Sequence, residues 1–256
     1  MPSAVVALTG ASGAQYAVRL VEALSDASWE VDLIVTKTGA INLHLECDMT
    51  AKDLAEIKGV TLHDNHNLAA KPASGSAKYD AYIICPTSGT TIGKIAAGIS
   101  DNLATRSALV ALKERRKLIL VPRETPFATA HLEAMTKMST WGVIILPASP
   151  GFYHKPSTIE ELIDFVVARI LDQLDIEHEL SSSLDTDIYY SGDEIQLKLQ
   201  KALLKLPEKQ RLVFNMKYFE EMKFKDIAEV MEVSVGSLKA QYHHAVKKIE
   251  KFIKED

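Results

Sequence analysis

The chain is poor in cysteine and contains no long apolar run. Its 256 residues include two cysteines, Cys47 and Cys85, which are too few for a disulfide framework. No metal site is expected, because the pair His63 and His66 has no third ligand in its pattern. The amino terminus lacks the basic start and apolar stretch of a signal peptide, and no segment approaches the length of a bilayer span. We therefore expect a cytoplasmic protein that does not bind membranes.

What is present is a composition able to form a core. Hydrophobic residues make up 47% of the chain and charged residues 25%, values typical of a globular protein. The net charge of -5 is unevenly distributed. Residues 189–256 carry 13 Lys and Arg against 11 Asp and Glu, a net of +2, which leaves 16 against 23, a net of -7, for residues 1–188. The more basic tail is a hint of a nucleic-acid partner for that part alone.

Short apolar runs alternate with amphipathic stretches over the first two thirds of the chain. The runs are AVVAL (4–8), VDLIV (31–35), AYIIC (81–85), KLILV (117–121) and VIILP (143–147). Helical patterns lie at 15–24, at 131–138, at 158–174 and, as one long stretch, between AYIIC and KLILV. This rhythm predicts an α/β fold of the Rossmann-like, flavodoxin-like type, in which helices cover both faces of a parallel sheet. Such sheets bind ligands at the carboxyl ends of their strands.

Two loops rich in small and hydroxyl residues follow predicted strands. They are residues 9–14 (TGASGA) and residues 86–91 (PTSGTT). Backbone N–H groups at a helix start suit a phosphate, and the spacing is not the GxGxxG of a dinucleotide site. Arg123 directly follows a buried-type strand, where a charged residue is expected to serve a ligand. Together these features predict one anion site.

Four segments resemble the UbiX/Pad-type flavin prenyltransferases, and the resemblance spans residues 4–178. The segments are TGASGAQY (9–16), SxxTxxKIAxGIxDNLxxR (88–106), LKERRKLILVPRETP (112–126) and PGFYHKPSTIEELIDFVVARILDQL (150–174). The resemblance implies transfer of a dimethylallyl group from dimethylallyl phosphate to reduced FMN, which gives prenylated FMN for a UbiD-type decarboxylase. It also implies a homo-dodecamer whose subunits share the flavin site.

The same resemblance assigns residues to the site. FMN would contact Gly10, Ala11, Ser12, Thr36, Ser88, Gly89, Thr90, Thr91 and Arg123. The prenyl phosphate would be held by Lys113, Arg123, Glu124, Tyr153 and Arg169. Ser12, Glu124 and Lys113 are the candidate catalytic residues. Cationic groups stabilise the charge that develops on the departing phosphate, while Glu124 and Ser12 can transfer protons near flavin N5.

The sequence departs from that family pattern in two places. Many relatives carry a bulky Met where this chain has Gly89, and residues 44–78 match no part of the pattern. Both departures concern the shape of the prenyl pocket. An alternative hypothesis is a related flavoprotein that decarboxylates a cysteine derivative. Such relatives are expected to use a His base and not to need the phosphate grip of Lys113, Tyr153 and Arg169.

The pattern changes after residue 178. Residues 179–191 are polar and acidic, and we interpret them as a linker between domains at 1–178 and 192–256. The second domain has apolar residues at three-and-four spacing only, as expected for a small all-α domain. A helix at 224–231, a turn at Glu232 and Val233 and a helix capped by Ser234 form a helix-turn-helix pattern. Its predicted core is Ile227, Ala228, Val233, Val235 and Leu238.

With LPEKQRLVFNMKYFE (206–220) upstream, this domain resembles region 4 of extracytoplasmic-function sigma factors, which reads the -35 promoter element. The resemblance implies promoter DNA, RNA polymerase or an anti-sigma factor as partner. The DNA-facing residues would be Ser237, Lys239, Gln241, His243, His244 and Lys247, with Ala240 and Lys248 beside them. The other half of such a factor has no counterpart here, so we do not expect a complete sigma factor. A transcription module carried on a flavoprotein scaffold therefore remains an alternative, and the join is either natural or engineered.

Overall fold

The chain divides into two units of structure. The computed structural model describes residues 1–152, 154–180, 199, 201–203, 205–219, 222–231 and 233–255. Contacts divide the chain into Met1–Asp185 and Thr186–Asp256. Beyond Leu180, the linker predicted at 179–191 lies outside the described residues. The finer domain boundaries therefore remain a prediction.

The first unit is built on a six-stranded parallel sheet. Its strands are β1 (Ser3–Leu8), β2 (Glu30–Val35), β3 (Val60–His63), β4 (Ala81–Thr87), β5 (Lys117–Pro122) and β6 (Ile144–Ile145). Their spatial order is β3-β2-β1-β4-β5-β6, and each neighbouring pair is parallel. Strands β2 and β3 are added on one side of β1, whereas β4, β5 and β6 are added on the other side. The loops that follow β1 and β4 therefore diverge and open a crevice at the carboxyl ends of these strands. The predicted Rossmann-like fold is confirmed.

Helices cover both faces of the sheet. They are α1 (Ala14–Asp26), α2 (Lys37–Cys47), α3 (Ala51–Ala55), α4 (Gly89–Ala96), α5 (Leu103–Lys113), α6 (Thr129–Thr140) and α7 (Ile159–Gln173). Alternate residues of β1 enter two different cores. Val6 packs with α1 and α7, whereas Val5 packs with α4, α5 and α6. Every residue of β4 is buried, which explains why the apolar run there is continuous rather than alternating.

Two features of the first unit differ from the sequence prediction. The single helical stretch expected before β5 is two helices, α4 and α5, because Gly98 adopts a left-handed φ of 74° just after α4. Strand β3 lies in the segment to which no pattern was assigned. Its four residues are exposed or only partly buried, and a strand that short carries no apolar run to reveal it.

Polar contacts tie this unassigned segment to the sheet and to α5. Asp32 of β2 is 7% exposed; its carboxylate accepts from Tyr79 Oη (2.5 Å) and Lys71 Nζ (3.1 Å) and lies 2.5 Å from His63 Nε2. Burial acts to raise the pKa of this carboxyl, but the three hydrogen bonds outweigh burial and hold the pKa below its ordinary value. Asn65 accepts hydrogen bonds from the first two N–H groups of α5 through its carbonyl and side-chain oxygens.

Replacing Asp32 with Asn is expected to lower the free energy of unfolding by about 1–3 kcal/mol, because an amide cannot accept all three contacts. The carboxyl pKa is lowered on folding, so this stabilisation is present above the unfolded pKa of about 3.9 and is lost as pH falls through the folded value. Urea unfolding followed by tryptophan fluorescence between pH 7 and pH 2 measures both effects. The exposed Glu30→Gln on the same strand is the matched control. Equal stability of Asp32→Asn and wild type at pH 7 would contradict the prediction.

The second unit contains helices joined by turns, and its described residues form no strand. Its helices are α8 (Glu208–Tyr218), α9 (Phe224–Met231) and α10 (Val235–Glu255). Ser234 Oγ accepts from Ser237 N (3.2 Å), so Ser234 caps α10 as predicted. Val213, Ile227 and Leu238 form the buried centre between the helices. The helix-turn-helix prediction is confirmed, but Val233 is 37% exposed rather than part of the core, because it precedes the cap. Glu232 lies outside the described residues.

Candidate functional site

Two loops meet at the carboxyl ends of β1 and β4. Thr9 is fully buried, and its Oγ1 donates to Pro86 O (2.7 Å) and accepts from Ser88 N (2.9 Å). Thr9 N also donates to Pro86 O (3.3 Å). The side chain of Thr9 therefore joins the loop at 9–14 to the loop at 86–91. The convergence of these loops, expected from their place after neighbouring strands, is present in the fold.

Helix α4 begins within the second loop. Ser88 is its N-cap: Ser88 Oγ accepts from Thr91 N (3.3 Å) and lies 3.0 Å from Thr91 Oγ1. Thr91 is buried, whereas Thr90 is exposed. The first N–H groups of a helix have no partner within the helix, and they carry the positive end of its dipole. The start of α4 is therefore suited to hold a phosphate at the crevice.

Gly89 lies directly against the imidazole of His131 in α6. A methyl group built at Gly89 would be 2.5 Å from both Cε1 and Nε2 of that ring. The ring also meets Phe127 edge-on, with centroids 6.5 Å apart. The imidazole can take this position only because residue 89 has no side chain. A larger residue at position 89 would have to displace His131. The glycine found here in place of the Met of many relatives is therefore coupled to a contact with His131 that no sequence pattern indicated.

Helix α1 begins at a carboxylate that no sequence pattern marked. Glu46 Oε2 of α2 accepts from Gly13 N (2.8 Å) and Ala14 N (2.7 Å). Gly13, at φ 105°, is the N-cap and offers no side chain of its own. The N–H groups of residues 13 and 14, expected to be free for a phosphate, are therefore occupied by a side chain. Of the two helix starts, that of α4 is the better placed for an anion. Glu46 lies within the segment that carries no recognisable motif.

Arg123 connects the end of β5 to the first loop. Its Nε donates to Ser12 O (3.1 Å), and its backbone N donates to Thr87 O (3.4 Å). The next residue, Glu124, is partly buried, and its Oε1 accepts from Thr125 N (3.2 Å). A guanidinium group, a carboxylate and the exposed Ser12 are thus placed at one end of the sheet. This group can bind an anion and exchange protons beside it.

The remaining candidate FMN residues surround the ends of β1 and β2. Thr36 caps α2, with Oγ1 accepting from Gly39 N (3.1 Å) and donating to Leu8 O (3.2 Å). Ala11 is buried, and its carbonyl accepts from Asn42 Nδ2 (2.9 Å). A methyl group at Gly10 would lie 2.5 Å from Thr38 Oγ1, so the close approach of α2 requires glycine there.

Lys113 does not reach Arg123 within one chain. Lys113 ends α5, which leads into the amino end of β5, whereas Arg123 follows its carboxyl end. A six-residue strand is about 20 Å long. Lys113 is exposed and pairs with the neighbouring Glu114. The two candidate phosphate ligands therefore lie at opposite ends of β5, one at the amino ends and one at the carboxyl ends of the parallel strands.

Arg169 makes no hydrogen bond to the crevice residues within the described part of the chain. It lies in α7, where Nη1 pairs with Asp172 Oδ2 (2.8 Å). Its side chain lines a groove of about 300 Å³ against β6, together with Pro147 and Phe165. Arg123 and Arg169 share no hydrogen-bond partner among the described residues. Tyr153, the other candidate ligand from this part of the chain, lies outside those residues.

The candidate DNA-facing residues lie on α10. Its buried residues include Leu238, Ala245 and Ile249. The exposed residues are Ser237, Lys239, Ala240, His243, His244, Lys247 and Lys248. Gln241 is only partly exposed, and its Nε2 donates to Ser237 Oγ (3.3 Å). Lys248 donates to Gln210 Oε1 (3.2 Å) of α8, which draws it toward the protein.

Two kinds of feature are absent from the described part of the chain. It holds no cluster of three or more His, Cys, Asp or Glu side chains arranged to bind a metal ion. His63, one half of the HxxH pair, instead contacts Asp32. None of the described helices is both long enough and apolar enough to traverse a bilayer.

Two family models match the chain, one in each unit. The model described as Flavoprotein matches residues 2–171, and the model described as Sigma-70, region 4 matches residues 196–249. The flavin prenyltransferase UbiX of Pseudomonas aeruginosa is 45% identical over 188 residues, with 68% of this chain and 90% of the relative covered. The UbiX of Methanocaldococcus jannaschii is 43% identical over 176 residues, with coverage of 69% and 95%.

Solved structures resemble the first unit at similar levels. A dodecameric FMN-dependent UbiX-like decarboxylase from Escherichia coli O157:H7 is 41% identical with a TM-score of 0.67, and the match covers 69% of this chain and 96% of that one. AnUbiX, solved in complex with FMN and dimethylallyl pyrophosphate, is 35% identical with a TM-score of 0.68 and coverage of 74% and 98%. The relatives therefore align with the first unit over nearly their whole length.

Proposed function

Because the chain belongs, through residues 2–171, to the UbiX-type flavin prenyltransferases of the Flavoprotein family, we propose that its first unit transfers a dimethylallyl group from dimethylallyl phosphate to reduced FMN. The observation that carries this proposal is the convergence of two small-residue loops and Arg123 at the carboxyl ends of β1, β4 and β5. The curated relatives favour this activity over decarboxylation of a cysteine derivative, since the UbiX proteins of Pseudomonas aeruginosa and Methanocaldococcus jannaschii, at 45% and 43% identity, are flavin prenyltransferases.

The residues at the crevice fit FMN as the cofactor. The start of α4, with the hydroxyls of Ser88, Thr90 and Thr91, offers N–H and O–H donors to the FMN phosphate. Gly10 and Ala11, which follow β1 at the same crevice, are proposed to contact FMN as well. Reduced FMN, when bound, supplies the ring atoms that accept the prenyl group.

The charged residues at the end of β5 are proposed to act on the prenyl phosphate. Breaking the allylic C–O bond builds negative charge on the departing phosphate, and the guanidinium of Arg123 stabilises that charge without a metal. The backbone contact with Ser12 O holds Arg123 in place before the phosphate arrives. Glu124 and the hydroxyl of Ser12 are in position to take and return protons beside the reacting atoms.

Lys113 completes the phosphate grip only if it comes from another copy of the chain, and we propose that Arg169 does so too. Lys113 lies at the opposite end of β5 from Arg123, Arg169 shares no hydrogen-bond partner with Arg123 among the described residues, and both side chains are half-exposed. We therefore assign the chain to a homo-oligomer, a dodecamer like the Escherichia coli relative, whose sites combine residues from neighbouring subunits. Tyr153 is expected to join the same grip.

The product and the second unit imply further partners. A prenylated flavin made in the cytoplasm is expected to pass to a UbiD-type decarboxylase that uses it. The second unit matches sigma region 4 and exposes Lys239, His243 and Lys247 on α10, which favours binding to promoter-like duplex DNA over a purely structural bundle. RNA polymerase or an anti-sigma factor is the alternative partner for this unit.

The activity is tested by the mass of the flavin. The full chain, incubated without oxygen with reduced FMN and dimethylallyl phosphate, is expected to give a flavin heavier by one prenyl group in mass spectrometry. The reaction without dimethylallyl phosphate is the control. An unchanged flavin mass, together with decarboxylation of a cysteinyl substrate, would replace this proposal with the alternative enzyme.

A further inference from the structure

We propose that one assembled particle of this chain binds several DNA duplexes at once and bridges them. The inference rests on the assembly and the DNA binding proposed above, but adds a property that neither unit has alone. The enzyme unit gathers many copies of the helix-turn-helix unit into one particle. The particle then holds duplexes together while each single module binds weakly.

The second unit is built as a module with cores of its own. One apolar cluster is formed by Ala202, Leu203, Leu206, Phe214, Ala245 and Ile249. A second cluster is formed around Val213, Ile227 and Leu238. Tyr242 packs at the edge of both clusters and stacks on Phe214 with ring centroids 5.8 Å apart. Each copy in an assembly therefore carries a complete helix-turn-helix.

The exposed side of α10 carries a polar stripe with two lysines, defined by Lys239, His243 and Lys247. These residues are spaced four apart, so they lie one above the other along the helix. Leu238, Ala245 and Ile249 are buried on the side that packs against the rest of the unit. Two lysines with a hydrogen-bonding imidazole between them on an exposed helix match the phosphates of a duplex better than they match an apolar protein groove.

The distribution of charge confines DNA to the second units. Residues 1–188 carry a net charge of -7, whereas residues 189–256 carry +2. An acidic body repels the phosphate backbone, so a duplex is not expected to wrap around the enzyme units. The duplexes must therefore be held at separate modules, which is the condition for bridging rather than for coating of the particle.

Multiple modules compensate for the weakness of one. A single non-specific contact of this kind has a Kd of about 10⁻⁴–10⁻⁶ M at physiological salt. Linking modules in one particle raises overall affinity by roughly 10²–10⁴-fold without any new contact. A particle with many modules therefore binds long DNA tightly and retains unoccupied modules for a second duplex.

A two-duplex capture assay tests the proposal. One biotinylated random-sequence duplex is immobilised, the full chain is added and washed, and a second fluorescent duplex is then applied at about 50 mM salt, where phosphate contacts are strong. Capture of the second duplex is expected at no less than about tenfold above the level without protein, and it should fall steeply by about 200 mM salt. The double variant Lys239→Glu, Lys247→Glu is expected to lose both duplexes. The matched control is Lys201→Glu with Lys209→Glu, which makes the same charge change at exposed lysines outside α10.

The outcomes separate the bridging proposal from the proposals on which it rests. Retention of the first duplex without capture of the second would overturn bridging and leave DNA binding intact. Failure to retain even the first duplex would overturn DNA binding by the second unit, and bridging with it. Sedimentation of the same samples reports the particle mass, so a monomer that captures no second duplex overturns the assembly as well.

Discussion

Replacing Arg123 with Ala is expected to slow prenyl transfer by about 10²–10³-fold, the effect of removing one preorganised donor from a site where negative charge develops. Arg123 is the charged group fixed at the crevice by its own chain, through Nε to Ser12 O at 3.1 Å. Its loss removes charge stabilisation from the departing phosphate. The initial rate of prenyl-flavin formation, measured by mass spectrometry at saturating reduced FMN, gives the result.

Two comparisons show whether this effect arises from charge stabilisation at the reacting phosphate. Arg123→Lys keeps the charge but loses the planar fork, so its rate should lie between those of wild type and Arg123→Ala. The exposed Lys52→Ala on α3 removes a cation away from the crevice and should leave the rate unchanged. A rate for Arg123→Ala within about threefold of wild type, in a protein that still binds FMN, would be too small an effect for the proposed role.

Mixing two inactive variants is expected to restore activity, which is the second large effect. Lys113→Ala and Arg123→Ala chains each remove one proposed phosphate ligand. Because these residues lie at opposite ends of β5, a site that uses both must take them from different chains. Chains with different affinity tags, co-expressed and purified through both tags, give hybrid assemblies. With random mixing, about a quarter of the sites regain both native residues.

The activity of the hybrid assemblies is compared with that of each single variant. Assemblies of Lys113→Ala alone and of Arg123→Ala alone set the background, and a chain carrying both substitutions, mixed with wild type, controls for dilution of good subunits. Recovery of near a quarter of the wild-type rate supports a site shared between subunits. Hybrids no more active than either parent would mean that Lys113 and Arg123 do not meet across a subunit boundary.

The sequence was sufficient to predict the sheet and the loops that form the crevice. A sheet covered on both faces requires continuous apolar strands, and those runs are visible in the sequence at β1, β2, β4 and β5. The loops after β1 and β4 were visible as runs of small and hydroxyl residues. The helix-turn-helix was also predictable from the sequence, since the cap at Ser234 and the apolar spacing of α9 are local signals.

Contacts between residues distant in sequence were not predictable in this way. Glu46 caps α1 across 32 and 33 residues, and a lone Glu near the end of a helix gives no sign of such a role. The approach of His131 to Gly89 likewise depends on how α4 and α6 pack. Lys113 and Arg123 are separated because β5 runs from one to the other, so that they lie at opposite ends of this strand. Val233 was assigned to the core on hydrophobicity alone, and its position at the turn exposes it.

The segment from residue 44 to residue 79, of which residues 44–78 had no counterpart in the family resemblance, cannot be deleted as if it were a surface insertion. It supplies the carboxylate at the start of α1, the oxygens of Asn65 at the start of α5 and the donors that surround Asp32. A miniaturised enzyme made by deleting it would leave two helix ends and one buried charge unsatisfied.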